Sequence, residues 1–465
     1  MFKIKAVITP SFKESIALIV AIVLLISVSI IKFDSVPHIP IVLSILLLIG
    51  YGLIKKVSYR KLEGGLVKGS QAGMSAVFLF FFIGILISSW MMSGTIPSLI
   101  YAGFNLITPT FFFAIVFVIT GIVGISIGSS LTTVATVGVA FIGMASVLDL
   151  SMAITAGAIV SGAFFGDKMS PLSDTTNLAS SIVGVDLFEH IRNMGWTTVP
   201  AFILSVVFFG LLSPSVTLSD LDGIAVFQEG LLGTGMIHWY TVIPLVLLFI
   251  LTINKVPALL TLAASSIAAV VISFFHQSFG GKEVLAILYE GYVSTTRVAD
   301  VDALLSRGGM ESMLPTVGLV LLALSMGGLL FTLGIVQCLL GKIESYLKKV
   351  SSVIAASALT AIGINVLIGE QYLSILLTGQ AFKSQYDKVG LAGKNLSRVM
   401  EDAGTVVNPL VPWSVCGLFI TKVLGVATLD YLPFAIFCLL SPILTILYGF
   451  TGKTLTYLKG NPAKQ

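Results

Sequence analysis

The stretch Gly166-Asp167-Lys168-Met169-Ser170-Pro171-Leu172-Ser173-Asp174-Thr175-Thr176-Asn177 interrupts a single apolar run from Ser151 to Ile182, and few structures can accommodate that. The run is long enough to cross a bilayer, so carboxylates, an ammonium, hydroxyls, an amide and a helix-breaking proline fall at membrane depth. Each Asp or Lys there costs roughly 3 kcal/mol even on lenient insertion scales. Backbone unwound at Pro171 is tolerated only where protein buries it or a wet cavity receives it. Such an interruption reads as an ion or substrate site.

The rest of the chain supports the membrane setting. Its 465 residues are 56% hydrophobic and 10% charged, with a mean hydropathy of +1.04, which no soluble domain of this length shows. Apolar runs recur from end to end and predict an all-α polytopic membrane protein with about 11 to 14 transmembrane segments, some of them re-entrant hairpins. The run at 371–383 is too short to span and is the clearest hairpin candidate. The first run, Ile16 to Ile31, has no small-residue cleavage site after it and reads as a membrane helix, not a signal peptide. The net charge of +4 lies mostly in short loops, where it reports orientation and not nucleic-acid binding. Cys338, Cys416 and Cys438 sit in apolar surroundings without metal-ligand spacing and read as packing residues. No dinucleotide, P-loop or metalloprotease pattern occurs.

The runs form two similar series, predicting halves at 1–214 and 215–465. Gly94 and Gly334 close matching segments about 240 positions apart, and Gly124 to Ser130 matches Asn365 to Gln371. Ser170-Pro171-Leu172 faces Asn408-Pro409-Leu410, so each half carries a broken helix, near 166–177 and near 401–413. Lys55, Lys56, Arg60, Lys61 and Lys68 mark one linker as cytoplasmic. Its counterpart holds Glu283, Glu290, Asp300, Asp302 and Glu311 against Lys282, Arg297 and Arg307. The loop with Asp220, Asp222 and Glu229 has no Lys or Arg, whereas Lys383, Lys388, Lys394 and Arg398 mark another inside loop. Every basic cluster lands inside when both termini are cytoplasmic and each half crosses an odd number of times. The repeats are then inverted, the architecture of secondary transporters with a site near the midplane.

Three clusters carry candidate chemistry. In the first, Asp167, Ser170, Ser173, Asp174, Thr175 and Asn177 offer carboxylate, hydroxyl and freed carbonyl oxygens, as a hard cation such as Na+ requires. The structural alternative is an Asp167–Lys168 ion pair with Asp174 capping a helix. In the second, Asp402 is the expected partner of Asp167 or Asp174, with Glu401 and Asn408 nearby. Its alternative is a cap at a helix end beside Arg398. The third is Glu370, with Asn365 one turn away. Its apolar surroundings disfavour the charged form, which suits a proton carrier, while the alternative is a surface cap. Ser129, Ser130 and Thr133, in a stretch rich in small residues, are expected to line the site, although half of that stretch reads as helix packing. Asp174, Ser173, Asn177 and Asn408 are the expected Na+ ligands. A channel is less favoured, because midplane carboxylates spread over two halves suit alternating access. An enzyme is disfavoured too, because no nucleophile stands beside a base.

From Gly162 through Asn177 the sequence resembles the NhaC family of sodium/proton antiporters, within the ion transporter superfamily. The resemblance implies Na+ leaving the cell as protons enter, in the plasma membrane, with no cofactor and Na+ as the transported ion. For some relatives it implies exchange of protonated malate for Na+ plus lactate, and for others amino-acid transport; a homodimer is compatible with it. Asp167, Ser173, Asp174, Thr175 and Asn177 match the family's block directly. Glu370, Glu401, Asp402 and Asn408 take a role only through the repeat alignment. No arginine lies at membrane depth in either broken helix to clamp a carboxylate, which favours the cation antiporter over the organic-anion exchanger.

Overall fold

Apolar segments without water must satisfy each backbone N–H and C=O internally, and helices do this one segment at a time. The computed structural model describes residues 5–33, 35–106, 110–214, 227–296, 301–302, 305–344 and 349–458, and these form helices joined by short turns. Asp220, Asp222, Arg297, Asp300 and the start of the second half at 215 lie outside the described residues. Among the described residues six helices are long and apolar enough to cross a membrane, and eight spans result if each bent pair counts as one. The chain is therefore a polytopic helical membrane protein.

Two helical hairpins organise the centre. The helix Phe112–Ile127 ends where Gly128 turns to φ +68°, and extended Ser129 starts the next helix by accepting the Thr132 N–H through its hydroxyl. The helix Val350–Ile368 ends at Gly369, φ +73°, and Glu370 caps the helix Gln371–Lys388 in the same way. Glycine adopts this left-handed backbone without a Cβ penalty, so both tips turn within two residues. Each tip rests on the broken helix of its own half. A Cβ at Gly128 would lie 2.7 Å from that of Leu172, and one at Gly369 would lie 3.1 Å from the Ser414 Cα. The second hairpin arm runs on to Lys388, past the end of the apolar run at 383, because its last turns are polar.

The first hairpin is fastened to the first broken helix by a seam of glycines. A Cβ at Gly166 would stand 2.5 Å from the Gly124 Cα, and one at Gly162 would stand 2.4 Å from the Phe117 carbonyl oxygen. Any side chain here would force the helices Phe112–Ile127 and Met152–Met169 apart. Local backbone features recur at a spacing of about 240 positions: left-handed glycines at 94 and 334, 128 and 369, and 184 and 425, and serine caps at 173 and 414. The caps place Pro171 opposite Pro412 and not Pro409, three positions from the pairing read off the Ser-Pro-Leu and Asn-Pro-Leu motifs.

The inverted arrangement expected from the loop charges makes a labelling prediction. Lys61 is exposed on the helix Tyr59–Gln71 and suits a reporter cysteine. Asp302 does not, because its carboxylate accepts the Ser294 hydroxyl at 2.8 Å and the Thr296 N–H at 2.6 Å. Glu290, exposed in the same linker, serves instead. With the three native cysteines removed, an impermeant thiol reagent added to intact cells should label position 290 and spare position 61. Equal labelling of both would make the repeats parallel.

Candidate functional site

The helix Met152–Met169 continues through Asp167 and Lys168 and stops at Ser170, whose extended backbone (ψ 130°) is the conformation proline imposes on its predecessor. Ser173 restarts the chain as the N-cap of Asp174–Val183, accepting the Thr176 N–H through its hydroxyl. The cap is thus Ser173 and not Asp174, which begins the first turn. The carbonyls released by the break are answered locally: the Asn177 amide donates to Pro171 O at 3.0 Å and to Ser173 O at 2.7 Å. The Ser170 hydroxyl donates to Ile125 O, 2.7 Å away at the end of the first hairpin arm.

Asp167 and Lys168 adjoin on a helix, so their side chains leave it about 100° apart and serve different neighbours. The Asp167 carboxylate accepts the backbone N–H and the hydroxyl of Ser130, at 3.2 and 2.7 Å, from the first hairpin tip. Lys168, fully buried, forms an ion pair with Asp402 of the second broken helix. Its ammonium also stands 5.6 Å from the centre of the Phe437 ring, and the Thr197 hydroxyl donates to the same Asp402 oxygen at 3.1 Å. The Asp167–Lys168 pair considered from the sequence is therefore not formed. Asp402 answers Lys168, and not Asp167 or Asp174.

Glu401 and Asp402 do not cap a helix end beside Arg398. They open a π-helical turn, Glu401–Thr405, in the fully buried middle of the second broken helix. Such turns widen a helix by one residue and recur at functional sites. Asn365 repairs the widened ladder by donating to Gly404 O at 2.6 Å, and its own oxygen accepts the Asn408 amide at 2.9 Å. Asn408 in turn accepts the Cys416 N–H at 3.0 Å. The two asparagines thus satisfy backbone opened by the π turn and the second break. Arg398 is buried and spends its hydrogen bonds on Thr454.

A cavity of about 1400 Å³ opens beside the first break. Of the residues expected at the site, it is lined by Ser129, Ser130, Asp167, Asp174, Thr175, Asn177 and Glu370. Asp174 and Asn177 are exposed to it, whereas Asp167 is almost covered. Ser173, Thr133, Asn365, Glu401, Asp402 and Asn408 do not line it. The Thr133 hydroxyl turns back onto Ser129 O at 2.8 Å, and its neighbour Thr132 lines the cavity instead. Glu370 combines two readings that the sequence kept apart. It caps its helix, accepting the Leu373 N–H at 2.7 Å, and it faces the cavity from a buried position. The sequence reading missed Lys68, Lys255, Gln371 and Tyr372, all on the wall. Lys68 had counted only as an orientation signal, and Lys255 had not been singled out.

Ionisable groups enclosed at the centre of an apolar helix bundle, beside a roomy cavity, describe a membrane transport protein. The chain belongs to the Na+/H+ antiporter family, whose profile its residues 162–453 match. It is 42% identical over 419 residues to the Na+/H+ antiporter NhaC of Alkalihalophilus pseudofirmus, covering 90% of each chain. It is 38% identical over 405 residues to the arginine/ornithine antiporter ArcD of Halobacterium salinarum, covering 85% of this chain and 82% of that one. It is 34% identical over 410 residues to the malate-2H+/Na+-lactate antiporter of Bacillus subtilis, covering 88% and 87%.

Proposed function

We propose that this chain is a secondary active antiporter of the cell membrane, exporting Na+ in exchange for H+ by alternating access between two inverted halves, with both termini cytoplasmic. One observation carries the reading: Asp174 opens a helix at the cavity wall with no side-chain partner, and Asp167 stands beside it under a hairpin tip. A carboxylate can face a wet cavity as an anion, but closing an apolar bundle over it carries a penalty of several kcal/mol. Occupation by Na+ or by a proton removes that penalty, and no third state passes cheaply. A site that closes only when filled by one ion or the other exchanges them. Thr175 and Asn177 belong to the same wall and supply oxygen atoms near Asp174; Ser173 and Asn408 hold the breaks in shape.

Lys68 and Lys255 favour a second reading, because two ammonium groups on the same wall suit an organic carboxylate. Proton flux into proteoliposomes, reported by an internal dye with Na+, Li+, K+, malate and lactate tested singly, separates the two. Saturable flux driven by Na+ alone is expected. Flux that needs malate or lactate would establish the organic-anion exchanger.

Glu370 is the proposed proton carrier. In Glu370→Gln the amide oxygen can still accept the Leu373 N–H, so the cap and the fold should survive. Na+-driven flux in this variant should lose its pH dependence. A profile matching wild type would leave Glu370 as a cap alone.

A further inference from the structure

We propose a second, dehydrated cation site at the π turn, apart from the cavity lining, with the Glu401 carboxylate as its charge and the Thr405 hydroxyl as a ligand, taking one hard monovalent cation such as Na+ or Li+. The proposal rests on the reading of the chain as a Na+ antiporter and adds a site to it.

Glu401 is completely buried, and among the described residues neither of its carboxyl oxygens meets a partner in good hydrogen-bond geometry. The Thr405 hydroxyl, one π turn further on, is equally buried and stands close enough to interact with that carboxylate. Buried carboxylates are ordinarily paired, hydrogen-bonded or bound to a metal. A protonated Glu401 would still present a donor and an acceptor to a region where the Thr405 hydroxyl is the polar group at hand. The charged side chains around it are Asp167, Lys168 and Asp402. Lys168, the cation among them, is already committed to Asp402. The charged neighbours of Glu401 are therefore one further acid, Asp167, and a satisfied ion pair.

That environment selects its occupant. An anion would add like charge, and an organic cation would need room that this packed region, with Met400 and Ala403 fully buried on either side, does not offer. A small hard cation needs oxygen ligands at short range, and carboxylate plus hydroxyl are that kind. Asp167 both lines the cavity and is a charged neighbour of Glu401, so a cation held first at the wall has a carboxylate step toward the π turn.

Equilibrium binding of radioactive Na+ to the purified full chain in detergent, in choline buffer free of K+, tests this. Wild type should bind two Na+ per chain, and Thr405→Val and Glu401→Gln should each bind about half as much. Thr405→Val keeps the shape of the side chain and all charges, so it reports even if Glu401→Gln does not fold. Asp174→Asn should also halve binding, through the cavity site. If Thr405→Val binds as much Na+ as wild type, the π-turn site is overturned, whatever Asp174→Asn does. If Thr405→Val loses half while Asp174→Asn loses nothing, the π-turn site stands and the cavity assignment fails.

Discussion

Asp402→Asn should leave little folded protein. It removes the counter-charge of a lysine that has no exposure to solvent, and an orphaned buried charge costs about 3–5 kcal/mol. That is a large fraction of the roughly 5–15 kcal/mol that holds a typical domain folded. Lys168→Met combined with Asp402→Leu should recover the fold, since replacing both partners of a buried pair with apolar groups is often neutral. Size-exclusion profiles and unfolding temperatures in detergent measure both outcomes. An Asp402→Asn variant as stable as wild type would mean that the pair does not tie the two broken helices together. Asp167→Asn, by contrast, should fold normally, because Lys168 does not depend on it.

Asp174→Asn should reduce Na+-dependent proton flux to background while leaving the protein intact. The side chain is exposed to the cavity, and the helix it begins is capped by Ser173. Loss of one negative charge from a first turn costs about 0.3–1 kcal/mol through the helix dipole, too little to unfold the chain. Transport has no such margin if the carboxylate is what a cation neutralises. Folded Asp174→Asn protein with near-normal Na+ affinity would remove this residue from the site.

The two breaks were legible because polar residues at membrane depth have few explanations, and Pro171 and Pro412 mark where helix must end. The hairpin tips were legible only as a repeat, Gly124 to Ser130 matching Asn365 to Gln371, with a cap as the alternative for Glu370; the left-handed turns at Gly128 and Gly369 and the Ser129 cap were not read. The pairing of Lys168 was not legible. Sequence neighbours invite pairing, but the helix points Asp167 and Lys168 to different sides, and the true partner lies in the other half. The π turn was hidden for a related reason, since nothing in Glu401-Asp402-Ala403-Gly404-Thr405 specifies an extra residue per turn. It shows only in how Asn365 is spent on its carbonyls. Lys68 was read for the side of the membrane it favours, which carries no information about the cavity it faces, and Lys255 drew no reading at all.

The glycine seam between Phe112–Ile127 and Met152–Met169 has a mechanical consequence. Backbones in direct contact, without side chains to slide or repack, leave the two helices no relative motion short of separation. The hairpin tip that holds Asp167 must then travel with the helix that carries it, keeping the Ser130 hydrogen bonds through a transport cycle. Displacement has to occur across the cavity instead, which Asp167 and Asp174 line together with Lys68 and Lys255. The ion would be carried in a rigid cradle past a stationary wall, and the width of that gap would decide which side of the membrane it sees.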